Sequence, residues 1–457
     1  MMSVVEFIEK FIPGLLRYRG TLVVEGYPGA GKTTLAASIC HSYVLKNERC
    51  LYLTFQEDKE KVFKILLSLG IDFIEAEKKG FLRYLRLPIA SDVGSLLEEL
   101  NKHIAGFRPR VIVIDSINPM LKAVENDFNR RAYLQNYFAS LPETMNNLVI
   151  MIYELPAIGI GIGLDDIEFV ADAIIALKYK VSRGIISRYA EIKKARGSPL
   201  KIAEIPFTIR EGMGIRFFVL PTPEEIIATK SEELQLPQPL ANKIYTKIIK
   251  GESILVVYPP DARPFEDTVV VLIMAMINNA KVLFISYRYS PEDLHRMLIN
   301  VATSIGVSRD IVEELINKFI EFHSINPMAY SIPEIFTQEI SLVESIKPDI
   351  AVFHGIEVFW YIANTEEYFT NLFNQLQYLR SKGITTIRMS SYVSEEFYNL
   401  NSSLADAIYR LYFSPSGKLM LYVWRRDGIP RVFDVDELIG DFMAVGNYLK
   451  RYDISSI

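Results

Sequence analysis

The sequence predicts an α/β fold built twice over: two consecutive domains, each with a mostly parallel central sheet flanked by helices. Three observations predict it. Short apolar, β-branched runs alternate with helical patterns along the 457 residues. Landmarks of the first half recur in the second at near-constant spacing. A glycine-rich turn with a lysine and a threonine stands between a strand and a helix, the context of a phosphate-binding loop.

In the first half, strands are expected at Thr21–Gly26, Leu51–Phe55, Val111–Asp115, Leu148–Tyr153 and Ala173–Leu177. Each is almost continuously apolar, as a strand covered on both faces must be. Helical patterns such as Thr33–Leu45 and Glu60–Leu69 lie between them. From Pro221 to Pro239 four prolines and a set of glutamates replace the apolar periodicity, which predicts a linker between domains at 1–220 and 240–457. The plan then repeats, with strands at Ser253–Tyr258, Val282–Tyr287, Ile350–Phe353, Thr385–Met389 and Ala407–Phe413. Phe55 and Tyr287 are 232 positions apart, Asp172 and Asp406 are 234 apart, and Asp115 and His354 are 239 apart. Such offsets are the signature of a tandem duplication.

Composition narrows the function classes. Half of the residues are hydrophobic and 23% are charged, which fits globular domains; 457 residues exceed what one core usually holds. A net charge of −5 argues against a dedicated nucleic-acid binder. Two cysteines, Cys40 and Cys50, point to a reducing cytoplasm, since a secreted disulfide scaffold carries more. The five histidines lack metal-ligand spacing, so no zinc site is expected. The N-terminus does not have the form of a signal peptide. The longest apolar run, Val269–Ile277, is less than half a membrane span, so a cytoplasmic protein with no membrane partner is expected.

The chemistry centres on Gly26-Tyr27-Pro28-Gly29-Ala30-Gly31-Lys32-Thr33, which fits G-x-x-x-x-G-K-[ST] in full and is followed by Thr34 in the first turn of a helix. Glycines let backbone N–H groups turn inward around phosphate oxygens, and the helix adds its free N–H groups and positive dipole end. Lys32 is expected on the β- and γ-phosphates of ATP and the Thr33 hydroxyl on Mg²⁺. Asp115, ending the apolar strand VIVID, supplies the second group on the metal side. Glu57, just past the neighbouring strand, is the candidate to orient and deprotonate the attacking water.

These residues resemble the KaiC-like branch of the RecA/RadA ATPases. The resemblance rests on IPGLLRYRGTLVVEG, GYPGAGKTT, LTFQED, VIVIDS, and FVADAII followed by EIKKARGS and IPFTI. It implies tandem RecA-like domains, ATP with Mg²⁺ as ligands, and a hexameric ring of identical chains. It also implies that Lys194 and Arg196 reach the nucleotide of a neighbouring subunit. In that family the segment after LTF usually carries two glutamates; here it reads Gln56-Glu57, so slow hydrolysis is expected.

The second half has lost the chemistry. Its loop position reads YPPDARPFEDT, from Tyr258 to Thr268, with no Gly-Lys-Thr, with prolines in place of donors, and with carboxylates that repel phosphate. His354 stands for Asp115, and Arg288-Tyr289 for Gln56-Glu57. This domain is expected to neither bind nor hydrolyse ATP and to serve as structural layer or partner surface. The resemblance therefore implies no autokinase. Two other functions compete with a ring ATPase acting as a switch. A DNA-binding recombinase-like protein would use loops 118–131 and 156–166, but the second carries no Lys or Arg. A non-hydrolysing nucleotide-binding scaffold would account for Gln56.

Overall fold

The computed structural model describes residues 1–17, 20–87, 93–124, 128–156, 168, 170–199, 202, 204–238, 240–244, 247–261 and 266–450. The chain divides into two compact units, Met1–Val219 and Leu220–Ile457.

The first unit holds nine strands: β1 (Gly20–Gly26), β2 (Cys50–Thr54), β3 (Leu82–Arg86), β4 (Val111–Asp115), β5 (Leu148–Glu154), β6 (Ala173–Ser182), β7 (Ile185–Ala195), β8 (Glu204–Arg210) and β9 (Gly214–Phe217). Their order is β3-β2-β4-β5-β1-β6-β7-β8-β9. Pairing is parallel from β3 through β6 and antiparallel from β6 to β9. The five apolar runs read from sequence form the buried middle of the sheet. β3 and the β7–β9 extension are additions; their alternating or exposed side chains do not give the all-buried signal. β1 and β4 are buried at every position, and apolar clusters cover both faces of the sheet.

One of those faces is closed by the N-terminal helix Val4–Phe11. It begins in a capping box: the Ser3 N–H donates to Glu6 Oε2 (2.7 Å) and the Glu6 N–H to Ser3 Oγ (3.3 Å). Phe7, fully buried, stacks on Phe217 of β9 with ring centroids 3.8 Å apart. Cys40, on the helix Lys32–Val44, and Cys50, the first residue of β2, are joined in a disulfide with Cα atoms 5.9 Å apart. The count of two cysteines does not reveal this. Packing of that helix on the sheet brings the two side chains together.

In the second unit a short pair, β10 (Glu233–Leu234) and β11 (Ile248–Ile249), precedes the sheet. The sheet comprises β12 (Ser253–Tyr258), β13 (Val282–Ser286), β14 (Ile320–Ser324), β15 (Ile350–His354), β16 (Thr385–Ser391), β17 (Ala407–Phe413), β18 (Leu419–Arg425) and β19 (Arg431–Asp434). Its order, β14-β13-β15-β16-β12-β17-β18-β19, is that of the first sheet strand for strand, without a counterpart of β9. Residues 221–238 of the stretch 221–239, read as a linker, are bound to this unit; residue 239 lies outside those described. The Ile227 N–H donates to Gln377, the Gln235 N–H to Asn278, and the Gln238 N–H to the Tyr448 hydroxyl. Among the described residues no helix is long and apolar enough to cross a membrane.

Candidate functional site

The glycine-rich loop leaves the C-terminal end of β1 and enters the helix Lys32–Val44. Gly31 caps that helix at φ +104°, and a Cβ there would lie 2.8 Å from Ile209 Cδ1. At Gly26 the constraint is space: a Cβ would meet the Leu177 carbonyl oxygen at 2.5 Å. Backbone geometry and close packing therefore both require glycine. The loop is closed by the Ala30 N–H donating to the Tyr27 carbonyl (3.2 Å). Tyr27, Pro28 and Gly29 are exposed, Ala30 is buried, and Thr33 and Thr34 are half-buried.

Lys32 is buried, and its ammonium donates to the Tyr27 carbonyl (3.0 Å), a neutral acceptor. Burial lowers its pKa, with partial relief from the charges of Glu154 and Asp115. An ammonium held this way gains from an anion in the loop. The Thr33 hydroxyl donates to Asp115 Oδ2 (2.8 Å), and the Tyr52 hydroxyl donates to the same oxygen (2.7 Å). Burial raises the Asp115 pKa; these two hydrogen bonds oppose the shift, and the Glu154 and Glu57 charges add to it. A buried carboxylate served only by hydroxyl donors gains from a cation. Thr33 and Asp115 thus fit Mg²⁺, and Lys32 with the loop fits phosphate.

Glu57 follows β2, which pairs directly with β4. Its backbone N–H and that of Gln56 both reach Thr54 Oγ1, at 3.2 and 3.4 Å, and the side chains of Gln56 and Glu57 are exposed. Lys194 and Arg196 are elsewhere. Ala173 pairs with Leu22 and with Ala195, whereas the β6 partner of Gly26 is Leu177. Four residues of strand, about 13 Å, separate that level from the loop of the same chain. The Lys194 ammonium donates to the Glu168 carbonyl (2.9 Å), and Arg196 pairs with Asp172 (3.3 Å). Next to Lys194 in the chain, Lys193 bridges Glu25 (2.7 Å) and Glu168 (2.9 Å). Burial alone would lower the Lys193 pKa, but the two carboxylates push it up to about 12.

Two residues of this site, and one counterpart in the second unit, escape sequence reading. Tyr52, fully buried, has its pKa raised well above the ordinary value by burial and then by Asp115. Only its place two residues before the end of a strand next to β4 hinted at a role. Glu154 pairs in register with Gly26 and so adds negative charge beside Lys32 and Asp115. Arg426 is the counterpart of Arg196: the Arg196 N–H donates to the Asp172 carbonyl, the Arg426 N–H to the Asp406 carbonyl, and each guanidinium pairs with that aspartate. Of the loops considered for DNA, residues 157–167 lie outside those described; Lys122 sits in the helix Asn118–Ala123.

The equivalent edge of the second sheet is closed upon itself. Ser286 Oγ accepts the N–H groups of Arg288 (3.2 Å) and Tyr289 (3.0 Å) and lies 3.1 Å from His354 Nδ1. Tyr289 stacks on the buried His354 ring, with centroids 5.5 Å apart. Arg288 pairs with Glu357 (2.7 Å), whose other oxygen accepts the Ser391 N–H (3.1 Å). Residues 262–265 of the altered loop lie outside those described.

Residues 2–222 match the family model described as "ATPase: KaiC". The chain is similar to the circadian clock oscillator protein KaiC of Picosynechococcus sp., 26% identical over 211 residues, which is 46% of this chain and 41% of the relative. It is also similar to that of Thermostichus vulcanus, 26% identical over 178 residues, 39% of this chain and 34% of the relative. Circadian clock protein KaiC2 of Synechocystis sp. is 26% identical over 188 residues, 39% of this chain and 32% of the relative. The chain spans less than half of the length of the curated relatives it matches.

Proposed function

We propose that the chain, whose residues 2–222 match the KaiC ATPase model, binds ATP with Mg²⁺ in this first domain and hydrolyses it at the interfaces of a homo-oligomeric ring. The observation that carries the proposal is the contact of Thr33 with Asp115 beside the buried Lys32. Three residues from two distant segments converge where an anion and a cation would each relieve an uncompensated charge. The loop N–H groups and Lys32 hold the phosphates. Thr33 and Asp115 hold the metal, which supplies neutralisation of charge on the phosphate oxygens. Glu57 orients and deprotonates water from the end of the adjacent strand, and Gln56 leaves it without a second acid, so turnover is slow.

Lys194 and Arg196 complete the site of a neighbouring subunit. Their distance from the loop of their own chain supports a role in trans. Ring assembly then depends on ATP, and the second domain offers partner surface without a nucleotide of its own. One observation favours a different reading: the Arg196–Asp172 pair recurs as Arg426–Asp406 in the domain that lacks the loop motif. On that reading the arginine stabilises the strand end and the protein is a non-hydrolysing scaffold. Phosphate release from mixtures of Arg196→Ala and Glu57→Gln chains separates the two. Each variant alone should be slower by roughly 10³-fold, the lower end for a finger in trans. Mixed and allowed to exchange subunits, they should recover part of the rate, because some interfaces receive an intact Glu57 and an intact Arg196. Absence of recovery at every ratio would leave the scaffold reading.

A further inference from the structure

The second unit contains a cavity of about 460 Å³ between its sheet and the helices on one face. It is lined almost wholly by apolar side chains. Val256 of β12, Met389 of β16, and Leu411 and Leu421 of β17 and β18 form the floor; Met274 and Met443 stand on the helices opposite. Leu411 and Leu421 face each other in register across the antiparallel pair.

The duplicated fold offers a direct comparison. The corresponding face of the first sheet is filled. Phe7 and Ile8 of the N-terminal helix are fully buried on it, Phe7 stacks on Phe217 of β9, and Phe207 of β8 packs beside them. Among the described residues, the second sheet has eight strands and none that supplies an aromatic equivalent of Phe217. Its covering helix, Ile439–Lys450, leaves Ile439 and Met443 about half exposed at 52% and 49%. The helix Glu266–Asn278, which roofs the cavity with Val270 and Met274, is the one that in the first unit follows the phosphate loop.

A cavity this size is within the range of small-molecule sites, roughly 300–1,000 Å³. It is about three times the volume of an apolar cavity that stays dry and takes up benzene, about 150 Å³. Water gains few hydrogen bonds in it, since nearly every lining group is a hydrocarbon or a thioether. Methionines on the roof and at the mouth adapt to irregular apolar shapes.

We propose that this cavity is a binding site for an apolar small molecule of the hydrocarbon-chain class, an acyl or isoprenoid chain, so that the second domain has exchanged a nucleotide for an apolar ligand. The inference does not rest on ATP binding by the first domain, and Lys32→Ala keeps the two apart.

The test uses the full chain and cis-parinaric acid, whose fluorescence rises in apolar surroundings, with dodecane as competitor. Saturable binding of one probe per chain, displaced by dodecane and unchanged in Lys32→Ala, is the expected result. Leu411→Phe with Leu421→Phe fills the floor and should weaken binding by roughly tenfold or more. Met443→Glu places a charge at the half-exposed mouth, a position at which folding is not at stake, and should weaken it severalfold. Absence of saturable binding, or affinity unchanged in a folded floor variant and in Met443→Glu, would overturn the proposal. If the floor variant fails to fold, the mouth variant decides alone.

Discussion

The strand ends after β2 and β13 have the same backbone and opposite chemistry. Thr54 and Ser286 each accept the N–H groups two and three residues on, so the turn is one and the same. In the first domain that turn presents Gln56 and Glu57 to solvent, beside an Asp115 and a Lys32 that are buried without a counter-charge in direct contact. In the second domain the same positions hold Arg288 and Tyr289. There the guanidinium pairs with Glu357 and the ring lies on His354. The difference teaches what a ligand site costs a fold. Among the described residues, the first edge leaves Lys32 and Asp115 without an ion-pair partner, whereas the second pairs Arg288 with Glu357 and Tyr289 with His354. The turn persists because its hydrogen bonds run from backbone N–H groups to the Thr54 or Ser286 hydroxyl, whichever side chains follow.

That contrast can be broken or sharpened experimentally. The most direct test is Lys32→Ala in the full chain: nucleotide affinity by calorimetry should fall by roughly a hundredfold or more, since a charge-assisted contact to phosphate is lost. A remaining site of micromolar affinity would belong to the second domain and would end the contrast.

Next comes the buried pair Arg425–Glu252, joined by two hydrogen bonds of 2.9 and 3.3 Å. The first domain has Ala195 and Gly20 at the equivalent positions. Glu252→Ala leaves the buried guanidinium with the exposed Asp427, 3.3 Å from its Nε, as its remaining ion pair and should destabilise the second domain by about 3–5 kcal/mol. Urea unfolding followed by tryptophan fluorescence reads this domain selectively, because both tryptophans, Trp360 and Trp424, lie in it. A loss below ~1 kcal/mol would mean that Arg425 finds another partner or reaches water.

The smallest effect concerns Glu339, which is buried and accepts hydrogen bonds from Tyr287 and Gln375. Burial raises its pKa from 4.5 to about 7, against the pull of those two donors. The folded domain therefore holds the proton more tightly than the unfolded chain does. Its stabilising contribution is full below pH 4.5 and is lost as the pH rises towards 7. Glu339→Gln should flatten that dependence and be more stable than the parent at pH 8 by up to roughly 3 kcal/mol. Parallel stability curves for the two proteins between pH 5 and pH 8 would show that Glu339 stays ionised when folded.

Much of the site was legible in the sequence because its signal is contiguous. Gly26 to Thr33 is one loop, VIVID is one strand, and each names its neighbour by chemistry alone. The repeat was legible for the same reason, since Asp172 and Asp406 sit in near-identical short contexts. Glu154 was not legible: its influence comes from pairing with Gly26 across 128 positions. Arg426 was not either, because the strand pairing that aligns it with Arg196 leaves no shared motif around it.

By itself the sequence determined the α/β class, the duplication, the one intact phosphate loop and the loss of its counterpart. Those features depend on local periodicity and on residue types at fixed short spacing, which no packing can alter. Tertiary structure alone decided that Tyr52 and Thr33 share one oxygen of Asp115 and that Cys40 meets Cys50. It also set Lys194 and Arg196 at the far end of the strands from their own loop, and it left an apolar cavity against β12, β16, β17 and β18 of the second sheet. Each of these follows from register and from which helix covers which face, and that information is spread over residues far apart in the chain.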